Sequence, residues 1–179
     1  MDEVLYDAGW MKLYKTGRGF IYSERRGVRS TALLLYRLIP EGQIRQYEIL
    51  THYQPLPVGP VAQGDAYPCP ITGSLLEGDS PHDNIMQEAL EEGGFDLNFE
   101  GAKVVHHGNY FVGTQTNEVV LMFSCDVTGI EQQEPEGDGS YWETVSHNQW
   151  HPLEFGLSLQ QAYSGLSLLC YRLRDYLDV

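Results

Sequence analysis

The sequence predicts an α/β fold with a β-rich opening, and three observations carry that prediction. Alternating apolar and polar runs fill the first third of the chain, a well-capped helix stands near the middle, and an amphipathic stripe closes the C-terminus. With 42% of its 179 residues hydrophobic and 20% charged, the chain is apolar enough to bury one core, so residues 1–179 are expected to form a single domain.

In chain order, Trp10 to Lys15, Phe20 to Arg25, Ser30 to Ile39 and Gln46 to Tyr53 read as strands, with Gly17-Arg18-Gly19 and Glu41-Gly42 as turn signals between them. Residues 54–70 carry five prolines and two glycines and read as a loop. A helix is expected from Pro81 to Glu92: Ser80 can cap it, Pro81 suits its first position, and Gly93-Gly94 supply a left-handed ending. Ala102 to Phe111 and Glu118 to Val127 read as a strand pair. Gly129 to Ser140, with Glu131, Glu134, Glu136 and Asp138, reads as an acidic loop, and Trp142 to Val145 as a short strand. From Leu157 onward, Leu159, Tyr163, Leu166, Leu169, Cys170, Leu173 and Leu177 fall on one helical stripe that would pack on the sheet.

The net charge of -14 excludes nucleic-acid backbones and anionic membrane surfaces as partners, since both need clustered Lys and Arg. A small phosphate ligand remains compatible if metal ions supply positive charge locally. No apolar run approaches the roughly 18 residues of a membrane span. Met1-Asp2-Glu3 is acidic where a secretory leader would be basic, so the expectation is a cytoplasmic protein. Cys69, Cys125 and Cys170 are odd in number and widely spaced, which suits buried thiols better than disulfides or a zinc site. His106 and His107, at the end of a predicted strand, read as structural.

The chemistry concentrates in residues 71–95. On the predicted helix, Glu88, Glu91 and Glu92 stand at i, i+3 and i+4, so three carboxylates share one face while Ile85 and Ala89 point to the core. They occupy the last turn, where the helix dipole disfavours each acid by roughly 0.3–1 kcal/mol. The helix has no Lys or Arg to compensate. A hard divalent cation would turn that liability into a site, because Mg²⁺ takes carboxylate oxygens together with waters and substrate phosphates.

From Gly73 to Phe95 the chain resembles the Nudix box, G-x5-E-x7-R-E-U-x-E-E-x-G-U with U a bulky aliphatic. Gly73, Glu88, Glu91, Glu92, Gly94 and Phe95 fall on its positions without a gap, and Ala89 takes the first U. Asp79 stands where the loop Glu is expected and Gln87 where Arg is expected; Gln87 can donate hydrogen bonds but cannot neutralise charge. Outside the box, a β-rich extension over residues 1–30, an aromatic-Pro segment from Leu50 to Pro55 and a Gly-x-x-x-x-Glu segment from Gly113 to Glu118 look like the ADP-ribose pyrophosphatase branch.

That resemblance implies an α/β/α sandwich, a mixed sheet between helices, with the box helix on one side and the C-terminal helix on another. It implies Mg²⁺ or Mn²⁺ held by Glu88, Glu91, Glu92 and the main-chain carbonyl of Gly73, and hydrolysis of a nucleoside diphosphate derivative such as ADP-ribose to AMP and ribose 5-phosphate. Glu91 and Glu92 would be catalytic, with a loop acid, Glu136 among Glu134, Glu136 and Asp138, as base. It also implies a homodimer built through the N-terminal strands. Trp10, Phe20 and Tyr22 become candidates for stacking on adenine, and Arg25, with Arg26 and Arg29 as alternatives, and Glu118 for contacting substrate. Two other readings stay open: another substrate, such as a nucleotide sugar, a reduced dinucleotide or a dinucleoside polyphosphate, and a nucleotide-binding module without turnover.

Overall fold

A computed structural model describes residues 2–40, 45–55, 66–99, 101–137, 145–159 and 165–179. Its ten strands are β1 (Glu3–Asp7), β2 (Met11–Lys15), β3 (Ile21–Arg25), β4 (Arg29–Ile39), β5 (Gln46–Pro55), β6 (Ala66–Cys69), β7 (Ile71–Leu75), β8 (Val104–Phe111), β9 (Val119–Asp126) and β10 (His147–Pro152), described here with the helices α1 (Pro81–Glu91), α2 (Leu153–Ser158) and α3 (Leu166–Leu177). The first three strands form an antiparallel sheet in the order β1-β2-β3, and the others form a seven-stranded sheet with the path β10-β5-β4-β9-β8, where β6 pairs with β5 and β7 with β4. The large sheet is mixed, because β4 and β9 run parallel while its other pairs are antiparallel.

Strand β4 sits at the centre, and its side chains alternate between two cores with the period of two that a strand imposes. Leu33 and Leu35 face Ile85 and Ala89 of α1, together with Ile71, Phe95, Leu121 and Phe123. Ala32, Leu34 and Tyr36 face Leu166, Leu169, Cys170 and Leu173 of α3, together with Val120 and Met122 of β9. A mixed sheet therefore lies between α1 on one face and α2 with α3 on the other, the expected sandwich. The edge of β4 opposite β9 is divided: Arg29 to Leu33 pair with β7, and Tyr36 to Ile39 with β5. Strands β5 and β7 separate beside Leu34 and Leu35, and α1 packs over that region through β7 and β4.

Several expectations are corrected. Strand β1 is absent from the sequence reading because Val4, Leu5 and Tyr6 are consecutive and lack alternation; all five of its residues are exposed. Strand β6 lies inside the predicted proline loop. Among the described residues it pairs on one side, with β5, and such a short strand tolerates Pro68, which has no N–H to give. The predicted Trp142 to Val145 strand falls largely outside the described residues, and the strand seen there is β10. The single C-terminal helix divides into α2 and α3, since Leu159 is extended and Gly165 adopts φ +74°, a left-handed conformation at the start of α3. Tyr163 lies outside the described residues.

Cys69, Cys125 and Cys170 are free and buried. Burial pushes the Cys125 and Cys170 thiols up to about 11 and about 12. His107 bonds Ser124 at 2.7 Å and His106 bonds Asn109 at 2.9 Å, which gives both a structural role. Leu169 is fully buried and Leu168 beside it is 38% exposed. Leu169→Ala should therefore cost about 2–5 kcal/mol in urea denaturation, and Leu168→Ala about 0.5 kcal/mol or less; equal losses would contradict the packing of α3.

Candidate active site

Helix α1 starts as its sequence dictates. Ser80 Oγ accepts from the Asp83 N–H at 3.3 Å and Pro81 occupies the first turn. At the other end Glu92 is the cap, and Gly94, at φ +75°, lets the Phe95 N–H return to the Ala89 carbonyl at 2.9 Å.

Each of the three glutamates has a distinct setting. Asn84 and Glu88 both pack against Gly73 of β7, so closely that a Cβ at residue 73 would meet Asn84 Oδ1 first and lie 2.5 Å from Glu88 Oε1. Asn84, one turn earlier, donates to Glu88 Oε1 at 3.4 Å and accepts from Thr31 Oγ1 at 2.6 Å. Glu91 accepts from Gln87 Nε2 at 2.8 Å, so Gln87 tethers this acid. Glu92 stands near Cys69, whose thiol is raised by burial and, to a lesser degree, by the Glu92 carboxylate. Asp79 is spent locally: its Oδ2 accepts from the Leu76 N–H at 2.7 Å and closes the turn before the helix.

Glu91 and Glu92 face a cavity of about 610 Å³, also lined by His52, Glu134, His147 and Asn148. The acidic loop closes one side. Gly137 N–H donates to the Glu91 carbonyl, Gln132 Nε2 to that of Gly93 and Gln133 N–H to that of Gly94, at 3.1, 2.9 and 2.8 Å. Of the loop acids, Glu134 lines the cavity; Glu136 is exposed and is not among its lining residues, and Asp138 lies outside the described residues.

A second cavity, of about 460 Å³, opens on the β7 side of Glu88. It is lined by Gly73, Thr31, Ser74, Tyr110, Arg25 and Glu118, among others. Arg25 Nη1 pairs with Glu118 Oε1 at 2.8 Å and Nη2 donates to Ser74 Oγ at 2.5 Å, while Ser30 Oγ donates to Glu118 Oε1 at 3.0 Å. The sequence candidates Arg25 and Glu118 thus meet across 93 residues. Trp10 and Phe20 are about half exposed in the turns flanking β2, and Tyr22 of β3 stacks on Tyr14 with centroids 5.3 Å apart. None of these three aromatics lines either cavity.

The donor set fits a hard divalent cation: three carboxylates on one helix end, with the Gly73 main chain against one of them where any side chain would intrude. Among the described residues, no three His, Cys, Asp or Glu side chains are gathered into a cage on their own. Mg²⁺ does not need one, since it keeps several waters and shares substrate phosphates.

No family model matches this sequence, and no curated protein sequence matches it. Solved structures do match. A MutT/Nudix family protein from Listeria innocua superposes with a TM-score of 0.60 at 14% identity, over 84% of this chain and 93% of that one. An ADP compounds hydrolase superposes with a TM-score of 0.65 at 12% identity, over 99% of this chain and 92% of that one. The chain has the Nudix fold.

Within this Nudix fold, residues 73–95 run from β7 through the Asp79 turn to α1 and Phe95, the loop-helix-loop that the sequence outlined. Asn84, Thr31, His52 and Asn148 were missed. Asn84 had a readable signal, being four residues before Glu88 on one helix face; His52 and Asn148 meet only through strand pairing. Gly73→Ala should push Glu88 out of place and weaken Mn²⁺ binding by about tenfold or more, read by electron paramagnetic resonance of free Mn²⁺; unchanged affinity would detach Gly73 from the site.

Proposed function

We propose that the chain is a metal-dependent hydrolase that cleaves the diphosphate of a nucleoside diphosphate linked to a second moiety, with ADP-ribose, cut to AMP and ribose 5-phosphate, as the preferred substrate. The observation that carries the reading is Glu88 packed on Gly73, with Glu91 and Glu92 lining a cavity of about 610 Å³. Glu88, Glu91, Glu92 and the Gly73 carbonyl would hold Mg²⁺ or Mn²⁺. The bound metal supplies charge neutralisation on phosphate oxygens and a water of lowered pKa.

The chain's own residues account for the rest. Gln87 and Asn84 fix the orientation of Glu91 and Glu88. The proton acceptor comes from the 131–137 loop: Glu134 faces the cavity, and Glu136, the residue the sequence favours, stands two positions further on. Arg25 and Glu118 line the second cavity and would contact the part of the substrate that lies beyond the diphosphate.

The N-terminal sheet leaves Val4, Tyr6, Trp10, Met11, Phe20 and Ile21 at least 43% exposed, an apolar surface that suits a second copy of the chain. In such a homodimer Trp10, Phe20 and Tyr22 would serve the partner's nucleobase, which accounts for their distance from the cavities of their own chain. No helix among the described residues is long and apolar enough to cross a membrane. Three buried free thiols suit the reducing cytoplasm, where we place the protein.

A second reading, a nucleotide-binding module without turnover, is favoured by one observation: the Asp79 carboxylate is engaged in its own turn. Product analysis separates the two. Incubation with ADP-ribose and Mg²⁺ or Mn²⁺ should release AMP, and Glu91→Gln and Glu92→Gln should each slow release by on the order of 10²–10³-fold, the scale of losing one preorganised charge-stabilising group. Activity surviving in both variants would remove Glu91 and Glu92 from the catalytic site, and ligand-induced thermal stabilisation without product in the unaltered protein would remove the hydrolase reading in favour of the binding module.

A further inference from the structure

The carbonyls of Glu88, Ala89 and Leu90 in the last turn of α1 are met by the N–H groups of residues 92–95, and the next four, from Glu91 through the cap to Gly94, are met by more distant parts of the chain. Those of Glu91, Gly93 and Gly94 receive donors from the 131–137 loop. The carbonyl of Glu92, which lines the larger cavity, receives Asn148 Nδ2 at 2.5 Å, from β10 on the sheet.

Asn148 is itself held. It is the register partner of His52, and its Oδ1 lies 2.9 Å from His52 Nδ1. With Nδ2 committed to a carbonyl, Oδ1 must face the imidazole, so His52 Nδ1 donates and the amide is fixed at both ends. His52 is almost fully buried, which anchors the arrangement in the rigid part of the sheet.

We propose that Asn148 is a positioning residue for Glu92: its amide ties the main chain of Glu92 to the sheet and sets where the carboxylate stands. The tie also offsets charge. A donor on the exposed carbonyl reduces the negative potential at the helix end, where three acids already crowd. The clamp is long-range, joining residues 56 positions apart.

This inference rests on the metal-dependent reading of the site, and the test separates the two. Mn²⁺ alone is titrated into the whole protein and followed by electron paramagnetic resonance, alongside AMP release from ADP-ribose. Asn148→Leu removes both bonds; Asn148→Asp keeps the size and the acceptor for His52 but loses the donor to Glu92. Both variants should weaken Mn²⁺ binding by on the order of ten- to a hundredfold, as loss of an outer-shell partner does, while circular dichroism stays that of the folded protein. Should Asn148→Leu fail to fold, Asn148→Asp decides the matter. Wild-type Mn²⁺ affinity in a folded variant overturns the positioning role and leaves the hydrolase reading standing. No Mn²⁺ binding by the wild type overturns both.

Discussion

Three carboxylates on the last turn of one helix repel one another and the negative end of the helix, and much of the surrounding structure answers that repulsion. The acidic side chains are separated in role: Glu88 is turned toward Gly73, Glu91 toward Gln87, and Glu92 toward the strand side at Cys69. The helix end itself is covered by donors, three from the acidic loop and one from Asn148. A loop rich in glutamate would be repelled by this helix if its side chains led the approach. Its backbone N–H groups and glutamine amides lead instead, and Glu134 is left facing the cavity.

The sheet makes the site available. If β4 paired with one strand along its whole free edge, β7 would have no place beside it and Gly73 no route to Glu88. The division of that edge between β7 and β5 lets β7 carry Gly73 under α1, while β5 diverges to pair with β6 and β10 and so brings His52 and Asn148 to the far side of the same helix. Gly73, against which Glu88 packs, then lines one cavity, and Glu91 and Glu92 line the other.

What could be read from the sequence follows the range of the interactions. Helix α1 was legible to within one residue because its cap, proline start and glycine stop are local, and so was the alternation that makes β4 central. The acidic face followed from helical spacing alone. Strands β1 and β6 were not legible: one lacks alternation and the other is masked by prolines that a one-sided pairing tolerates. Asn148 and His52 carry no local signal, since the first sits in a mixed polar stretch and the second in an ordinary strand, and only pairing across 96 residues joins them.

The same distinction explains why likeness to known proteins lies in the backbone and not in the residues. At 12–14% identity the superpositions still extend over most of the chain. In this chain the fold needs an alternating central strand and two faces for helices to cover, and those demands fix few residue identities. The substituted positions are the ones whose work a neighbour can take over. Gln87 donates a hydrogen bond to Glu91 though it brings no charge, and the donors on the carbonyls just past α1 add positive potential at the same end. A site built this way depends more on its clamps than on any cation of its own, so its tolerance of substitution should be lowest at the donors that hold the helix end and higher at Gln87.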